Sequence, residues 1–221
     1  MKLADVAPAH AVDPLARVLE LQAVDPTAST TVRDVDSAIA RHVADSLVAL
    51  ELPYVAAARR IADIGSGAGW PGLALAAALP AASVTLIESQ GRHCRYLERA
   101  VEAAELANVT VVQARAEEWR GEYDLVTARA LATLPAVLEY AAPLLVVGGH
   151  VVAWKGAVGE EEAAAGAAAA EILGLSSAGV VAVTPFPEAR DRTLHSFRKI
   201  APTPARFPRR AGMATKRPLG A

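Results

Sequence analysis

Residues Ile61 to Leu75, reading IADIGSGAGWPGLAL, constrain this chain more than any other stretch. A short apolar run reaches Asp63, Gly65-Ser66-Gly67-Ala68-Gly69 follows, and Trp70-Pro71-Gly72 leads into Ala and Leu. Glycines alternating with small residues permit a tight turn and bring bare backbone close to a ligand. Pro71 is placed in the first turn of the following helix, where its missing N–H is no loss. Strand, glycine loop and helix N-terminus in that order form a site for a nucleotide-like ligand.

The next apolar run, Ser83 to Ile87, ends in Glu88, nineteen residues after Gly69. An acid at that distance, at the tip of a second strand, is where a ribose hydroxyl pair is held. A dinucleotide fingerprint spaces its glycines Gly-x-Gly-x-x-Gly, whereas this loop reads Gly-x-Gly-x-Gly. That tilts the reading from NAD toward S-adenosylmethionine, which needs the acid for its ribose but has no pyrophosphate to cradle. The alternative is a structural strand–helix turn followed by a surface Glu.

Strand and helix patterns alternate from here to the end. Strands are predicted at Arg60–Ile64, Val84–Glu88, Val109–Gln113, Tyr123–Ala128, His150–Trp154, Val180–Thr184 and Ser196–Ile200. Helices are predicted at Gly72–Leu79, Gly91–Glu105, Leu134–Leu144 and the Ala-rich Gly159–Leu173. Such alternation implies a mostly parallel sheet covered by helices on both faces. Upstream, residues 1–12 lack periodicity and are expected to fray. A helix follows Asp13-Pro14, and a second runs from Asp34 or Asp36 until Pro53 closes it. The expected division is a helical extension (1–52), a Rossmann-like core (53–201) and a basic, Pro-rich tail (202–221), within one domain overall.

Composition narrows the class. Of 221 residues, 53% are apolar and 21% charged, enough for a sizeable core in a water-soluble domain. Cys94 is the only cysteine, so an intrachain disulfide and a cysteine-based metal cluster are excluded; no metal is expected. No apolar run has membrane-spanning length, and the N-terminus lacks a basic region followed by an apolar one. A cytoplasmic monomer with no membrane partner is expected. The formal charge of −2 conceals an asymmetry: from Arg190 onward there are nine Lys or Arg and one acid, +8, leaving −10 elsewhere. A polyanion would be steered to that end; a solvated basic tail is the other reading.

Further stretches carry chemistry. Arg41-His42 and Asp45-Ser46 lie one helical turn apart, so His42 and Asp45 share a face and can meet each other or a ligand. The polar turn Ala114-Arg115-Ala116-Glu117 after the third strand can meet an adenine edge or serve as an ordinary cap. Arg129 leaves the carboxyl end of a central strand, in the crevice where α/β sheets bind ligands, and Lys155 ends the next strand on the same edge.

Taken together, Arg41-His42-Val43-Ala44-Asp45-Ser46-Leu47, Asp63 to Gly72, Arg115-Ala116-Glu117, Ala128-Arg129-Ala130, Lys155-Gly156 and Phe207 to Gly212 resemble the RsmG family, also called glucose-inhibited division protein B. These are 16S rRNA guanine-N7 methyltransferases with a Rossmann-like, class I S-adenosylmethionine-dependent fold. The resemblance implies S-adenosylmethionine as cofactor, S-adenosylhomocysteine as product, and 16S rRNA or the small ribosomal subunit as partner. The implied cofactor contacts are Gly65, Ser66, Gly67, Trp70, Ala116, Glu117 and Arg129, with Glu88 on the ribose. Arg129 would position the reacting groups, and no side chain is assigned as a certain catalytic group. Departures from the family pattern are Glu88 for Asp, Arg92-His93 for Lys-Arg and Trp70 for Phe or Leu.

The chemistry fits such a substrate. Guanine N7 already carries a lone pair, so positioning suffices and no general base is required. Thr127-Ala128-Arg129-Ala130 occupies the place where an amino-group methylase would carry Asn/Asp-Pro-Pro-Tyr/Phe. Cys94 falls in a predicted helix rather than a loop, as an inert buried thiol would. Candidate RNA contacts are His42, Asp45, Lys155, Arg192, Arg198, Lys199, Arg209, Arg210 and Lys216, with Phe197 and Phe207 interleaved. Prolines 202, 204, 208 and 218 suggest a tail that is extended until RNA orders it. Its removal from Pro202 is then expected to leave cofactor binding intact. A methyltransferase for a small molecule or protein, or a non-enzymatic RNA-binding protein with a degenerate loop, are the alternatives.

Overall fold

The computed structural model describes residues 1–220. An N-terminal layer holds α1 (Val12–Val24), α2 (Val35–Ala38), α3 (Asp45–Leu47) and α4 (Pro53–Ala56). Then come β1 (Arg60–Ile64), α5 (Gly72–Ala78), β2 (Ser83–Glu88), α6 (Gly91–Ala103), β3 (Val109–Gln113) and β4 (Tyr123–Arg129). The chain continues through α7 (Leu134–Ala141), β5 (Leu145–Lys155), α8 (Glu160–Leu173), β6 (Leu175–Val183), β7 (Arg192–Lys199) and α9 (Met213–Lys216). The strands form one sheet in the order β3-β2-β1-β4-β5-β7-β6. Pairs among β1 to β5 are parallel, while β7 runs antiparallel to both β5 and β6. The mostly parallel seven-stranded α/β sheet expected from the sequence is the one formed.

The central strands β1, β2, β4 and β5 are buried on both sides because their alternate residues serve different cores. Ile61, Leu86, Leu125 and Val152 pack with α1, α5 and α6 on one face. Ala62, Ile64, Ile87, Val126 and Val151 pack with α7 and α8 on the other. In α6 the buried residues His93, Cys94, Tyr96, Leu97 and Ala100 recur at helical spacing, leaving Arg92, Arg95 and Glu98 outside. Burial raises the Cys94 thiol above its ordinary value, and its sulfur points at the Glu88 carbonyl, in keeping with an inert cysteine.

The site-bearing loop is set by register. Asp63 on β1 lies level with Thr127 on β4, and the Thr127 hydroxyl donates to Asp63 Oδ1 at 2.7 Å. Asp63 Oδ2 accepts from the Gly72 N–H at the start of α5, 3.3 Å away. A Cβ at Gly72 would come within 2.3 Å of Leu86 and 2.9 Å of Asp63, so this helix can approach β1 only on glycine.

Several local expectations change. Pro71 precedes α5 as its cap residue instead of entering the first turn. Residues 1–12 are not frayed: they form two single turns, Ala11 is buried, and His10 bonds the Ala78 carbonyl at 3.1 Å. The single helix expected from Asp34 or Asp36 until Pro53 is instead α2, a π-type turn over Ile39–Ala44, α3 and a 3-10 turn over Val48–Glu51. Pro53 opens α4 rather than closing its predecessor, because its missing N–H is harmless only in a first turn.

The tail changes most. Phe207 and Ala214 are buried against the second core, and Glu139 on α7, itself 1% exposed, accepts a forked bond from the Arg209 guanidinium. A buried carboxylate needs a partner and a buried ring needs a pocket, and together these hold the segment without RNA. The prolines shape its turns and leave it packed.

The N-terminal layer is tied to the loop by one buried pair. Gln22 of α1, inside an otherwise apolar face, accepts from the Trp70 indole N–H at 2.8 Å and donates to the Val32 carbonyl at 3.0 Å. Gln22→Leu keeps the volume and leaves both partners unpaired, so it should cost about 1–3 kcal/mol in urea unfolding. A loss within about 0.3 kcal/mol would show that the pair is dispensable.

Candidate functional site

At the carboxyl ends of β1, β2 and β4 lies a cleft of about 550 Å³. The glycine loop forms its floor, Glu88, Ser89 and Gln90 one flank, and Thr30, His42 and Asp45 of the N-terminal layer its roof. Gly65 has φ +67, a left-handed backbone that suits glycine, and a Cβ there would strike Leu131 at 2.4 Å. Past Leu131 the cleft continues into a hollow of about 160 Å³ lined by Ala116, Glu117, Tyr140 and Thr215. Gly65, Ser89 and Leu131 border both spaces.

Glu88 is a fixed acceptor. Its carboxylate is buried at the tip of β2 and accepts the Gly67 N–H at 3.0 Å and the Gln90 N–H at 2.8 Å. Free lone pairs remain for a vicinal diol. Beside it, His93 Nδ1 is buried with no hydrogen-bond partner among the described residues, 3.6 Å from Glu88 Oε1. A nucleoside with a ribose diol therefore fits this corner on two observations: an anchored acceptor and an unsatisfied ring nitrogen beside it. The α5 N-terminus is not an anion site, since its first N–H already points at Asp63. A cofactor without pyrophosphate does not need one. Burial pushes the Asp63 carboxyl up to about 6, opposed by bonds from Thr127, Ser66 and Gly72.

Across the cleft, Arg129 ties sheet to roof. Its guanidinium donates to Asp45 Oδ2 at 2.8 Å, to the Arg41 carbonyl at 2.9 Å and to His42 Nδ1 at 3.2 Å. A guanidinium only donates, so Nδ1 is unprotonated and Nε2–H faces the Thr30 hydroxyl at 3.1 Å. Desolvation and the Arg129 charge lower the His42 pKa to about 4, keeping the ring neutral at physiological pH. The same ring stacks on Trp70, centroids 5.5 Å apart. Asp45 and His42, expected to share a face, meet through Arg129 rather than directly. Asp45 Oδ1 is buried without a hydrogen bond among the described residues, and Arg192 Nε lies 3.7 Å away.

Beyond Arg129 a second hollow of about 180 Å³ is lined by Asp45, Arg129, Trp154, Lys155 and Arg192. Lys155 is engaged there, 2.7 Å from Glu162 Oε1 and 3.2 Å from the Ala132 carbonyl. Arg192, Arg198, Arg210 and Lys216 are exposed. Two expected RNA contacts are corrected. Lys199 is 3% exposed, its ammonium donating to the Ala142 carbonyl and the Thr203 hydroxyl, and burial lowers its pKa to about 8. Arg209 is spent on Glu139. His93, one of the pair that stands where the family has Lys-Arg, is buried next to Glu88.

Sequence reasoning missed Gln22, Thr30, Ser89, Gln90 and Leu131, all in or beside the cleft. Gln22 could have been found as a polar residue at a core position of α1. The others depend on how separate segments fold over one another and leave no local pattern.

A family model described as rRNA small subunit methyltransferase G, GidB, matches residues 25–190. A ribosomal RNA small subunit methyltransferase G of Rubrobacter xylanophilus is 43% identical over 196 residues, covering 85% of this chain and 75% of its own. One from Deinococcus radiodurans is 38% identical, covering 97% and 87%. Among solved structures, an S-adenosylmethionine-dependent O-methyltransferase of Thermotoga maritima superposes with TM-score 0.58 at 17% identity, over 72% of this chain and 66% of that one. That likeness establishes the class I methyltransferase fold expected from the sequence.

Arg129→Met removes the main partner of a buried carboxylate and should cost about 2–4 kcal/mol, with Arg129→Met/Asp45→Asn losing less than the single variant. Urea titration checks the order; an equal or larger loss in the double variant would refute it. His42 has its folded pKa depressed from 6.5 to about 4, so between those values the unfolded chain binds more protons. Wild type should therefore lose stability relative to His42→Gln as pH falls from 6.5 to 4, by at most about 3 kcal/mol. A pH-independent difference would mean the ring is not held neutral.

Proposed function

Since the chain belongs to the rRNA small subunit methyltransferase G family, we propose that it methylates N7 of one guanine in small-subunit (16S) rRNA, with S-adenosylmethionine as donor. The observation that carries this reading is the adjacency of two unlike sites on one sheet edge. The anchored Glu88 carboxylate and glycine loop suit a nucleoside cofactor. The hollow past Arg129, with exposed Arg192 at its mouth, suits a base brought in on an anionic strand.

The residues of this chain do four things in that reaction. Glu88 holds the ribose hydroxyls, with Ser66, Gly67 and Trp70 shaping the loop beneath. Ala116 and Glu117 face the adenine. Arg129, fixed by Asp45 and His42, holds the boundary between cofactor and base. Arg192, Arg198, Arg210 and Lys216 receive phosphates. Bound there, S-adenosylmethionine supplies an electrophilic methyl carbon. Guanine N7 needs no deprotonation, so the side chains position the groups and exclude water. Segments 1–52 and 202–221 act as the two flanking walls of the 53–201 core.

Mass mapping of 16S rRNA from cells with and without this protein tests the reading. Loss of one 7-methylguanosine is expected on deletion, restored by the wild-type chain; an unchanged modification pattern would refute it. Glu88→Ala should weaken S-adenosylhomocysteine binding at least about tenfold in titration calorimetry, because a charged hydrogen bond to the ribose is removed. Unaltered affinity would take Glu88 out of the site.

A further inference from the structure

The hollow of about 160 Å³ at the far end of the cleft is bordered on one side by the C-terminal segment. Thr215 lines it directly, and the Thr215 hydroxyl is 3.0 Å from the Tyr140 hydroxyl, which lines it too. Glu117, on the opposite side, has its carboxylate held by the Gly212 N–H at 3.0 Å. Arg209 locks the segment to α7: its side chain forks onto Glu139, its own N–H bonds Glu139 Oε1 at 3.1 Å, and Nη2 reaches the Arg217 carbonyl at 2.8 Å. Phe207 is buried beneath. One stretch of eleven residues thus anchors in the core, pairs a buried charge, and supplies both a wall atom and a hydrogen bond to the pocket.

Resting on the cofactor reading above, that hollow receives the base of the nucleoside. Glu88 takes the ribose, the glycine loop runs from it toward Arg129, and the space past Ser89 and Gly65 is left for the purine. We infer that residues 207–217 are the wall of the adenine subsite, and that docking of this segment and binding of S-adenosylmethionine strengthen one another. Coupling of this kind is reciprocal: whatever factor docking adds to cofactor affinity, the cofactor adds to docking. The outer side of the same segment exposes Arg210, Lys216 and Arg217, with Arg206 exposed just before it. Phosphates drawn to them would act on a wall of the cofactor site. This reverses the expectation that removing residues from Pro202 spares cofactor binding.

The test uses the full chain with S-adenosylhomocysteine and with adenosine as probes. In wild type, S-adenosylhomocysteine should slow tryptic cleavage between Arg206 and Lys216 at least about tenfold, read by mass spectrometry. Arg209→Met should bind both probes about tenfold more weakly, since both carry the adenine. Thr215→Val is the milder variant should Arg209→Met not fold; it should weaken both probes by a similar, smaller factor. Wild type that binds S-adenosylhomocysteine, with cleavage unchanged and both variants binding normally, would overturn the inference and leave the cofactor reading standing. Wild type that binds neither probe would overturn the cofactor reading, and the inference with it.

Discussion

A carboxylate buried at the crossing of three elements holds this structure in its working shape. Asp63 takes a hydroxyl from β4 and an N–H from α5, and the loop that follows it must then turn through Gly65 beneath the cleft. Burial of an ionisable group is unfavourable unless its lone pairs are satisfied, so the three elements have little freedom to move apart. The floor of the site is therefore tied to the sheet.

On that floor two flanks from opposite ends of the chain close inward. The N-terminal layer reaches it through Trp70 and Gln22, and again through His42 and Asp45 on Arg129. The C-terminal segment reaches it through Gly212 on Glu117. Both contacts join residues far apart in sequence, and both use polar groups with little exposure. Methyl transfer to an unprotonated ring nitrogen asks for alignment more than for acid–base chemistry. In the proposed reaction, a site of fixed backbone, neutral imidazole and paired guanidinium would supply that alignment. Arg129 serves architecture and site together, because the bond that fixes it also neutralises Asp45.

The sheet, its mostly parallel sense and the glycine loop were legible in sequence, because apolar runs, glycine spacing and the acid at Glu88 are local signals. What sequence concealed was tertiary. The π-type turn at Ile39–Ala44 looks like ordinary helix in its apolar spacing, and only the demands of Arg129 and Trp70 on His42 show its purpose. Lys199 and Arg209 counted as two positive charges among nine, although one ends in a backbone-lined pocket and the other on Glu139. Charge content indicates which partner a segment can attract, but burial decides which charges remain available. Proline content misled for a related reason: it restricts the backbone without stating whether a ring such as Phe207 will find a pocket.

The central claim is that a single nucleoside cofactor spans the cleft and the hollow beyond Leu131. Electron density from crystals grown with S-adenosylhomocysteine tests it most directly. The account predicts ribose oxygens within hydrogen-bonding distance of Glu88, the purine between Ala116 and Thr215, and the sulfur over Gly65 facing Arg129. A ligand bound elsewhere, or a purine lying on the Arg129 side of Leu131, would contradict it.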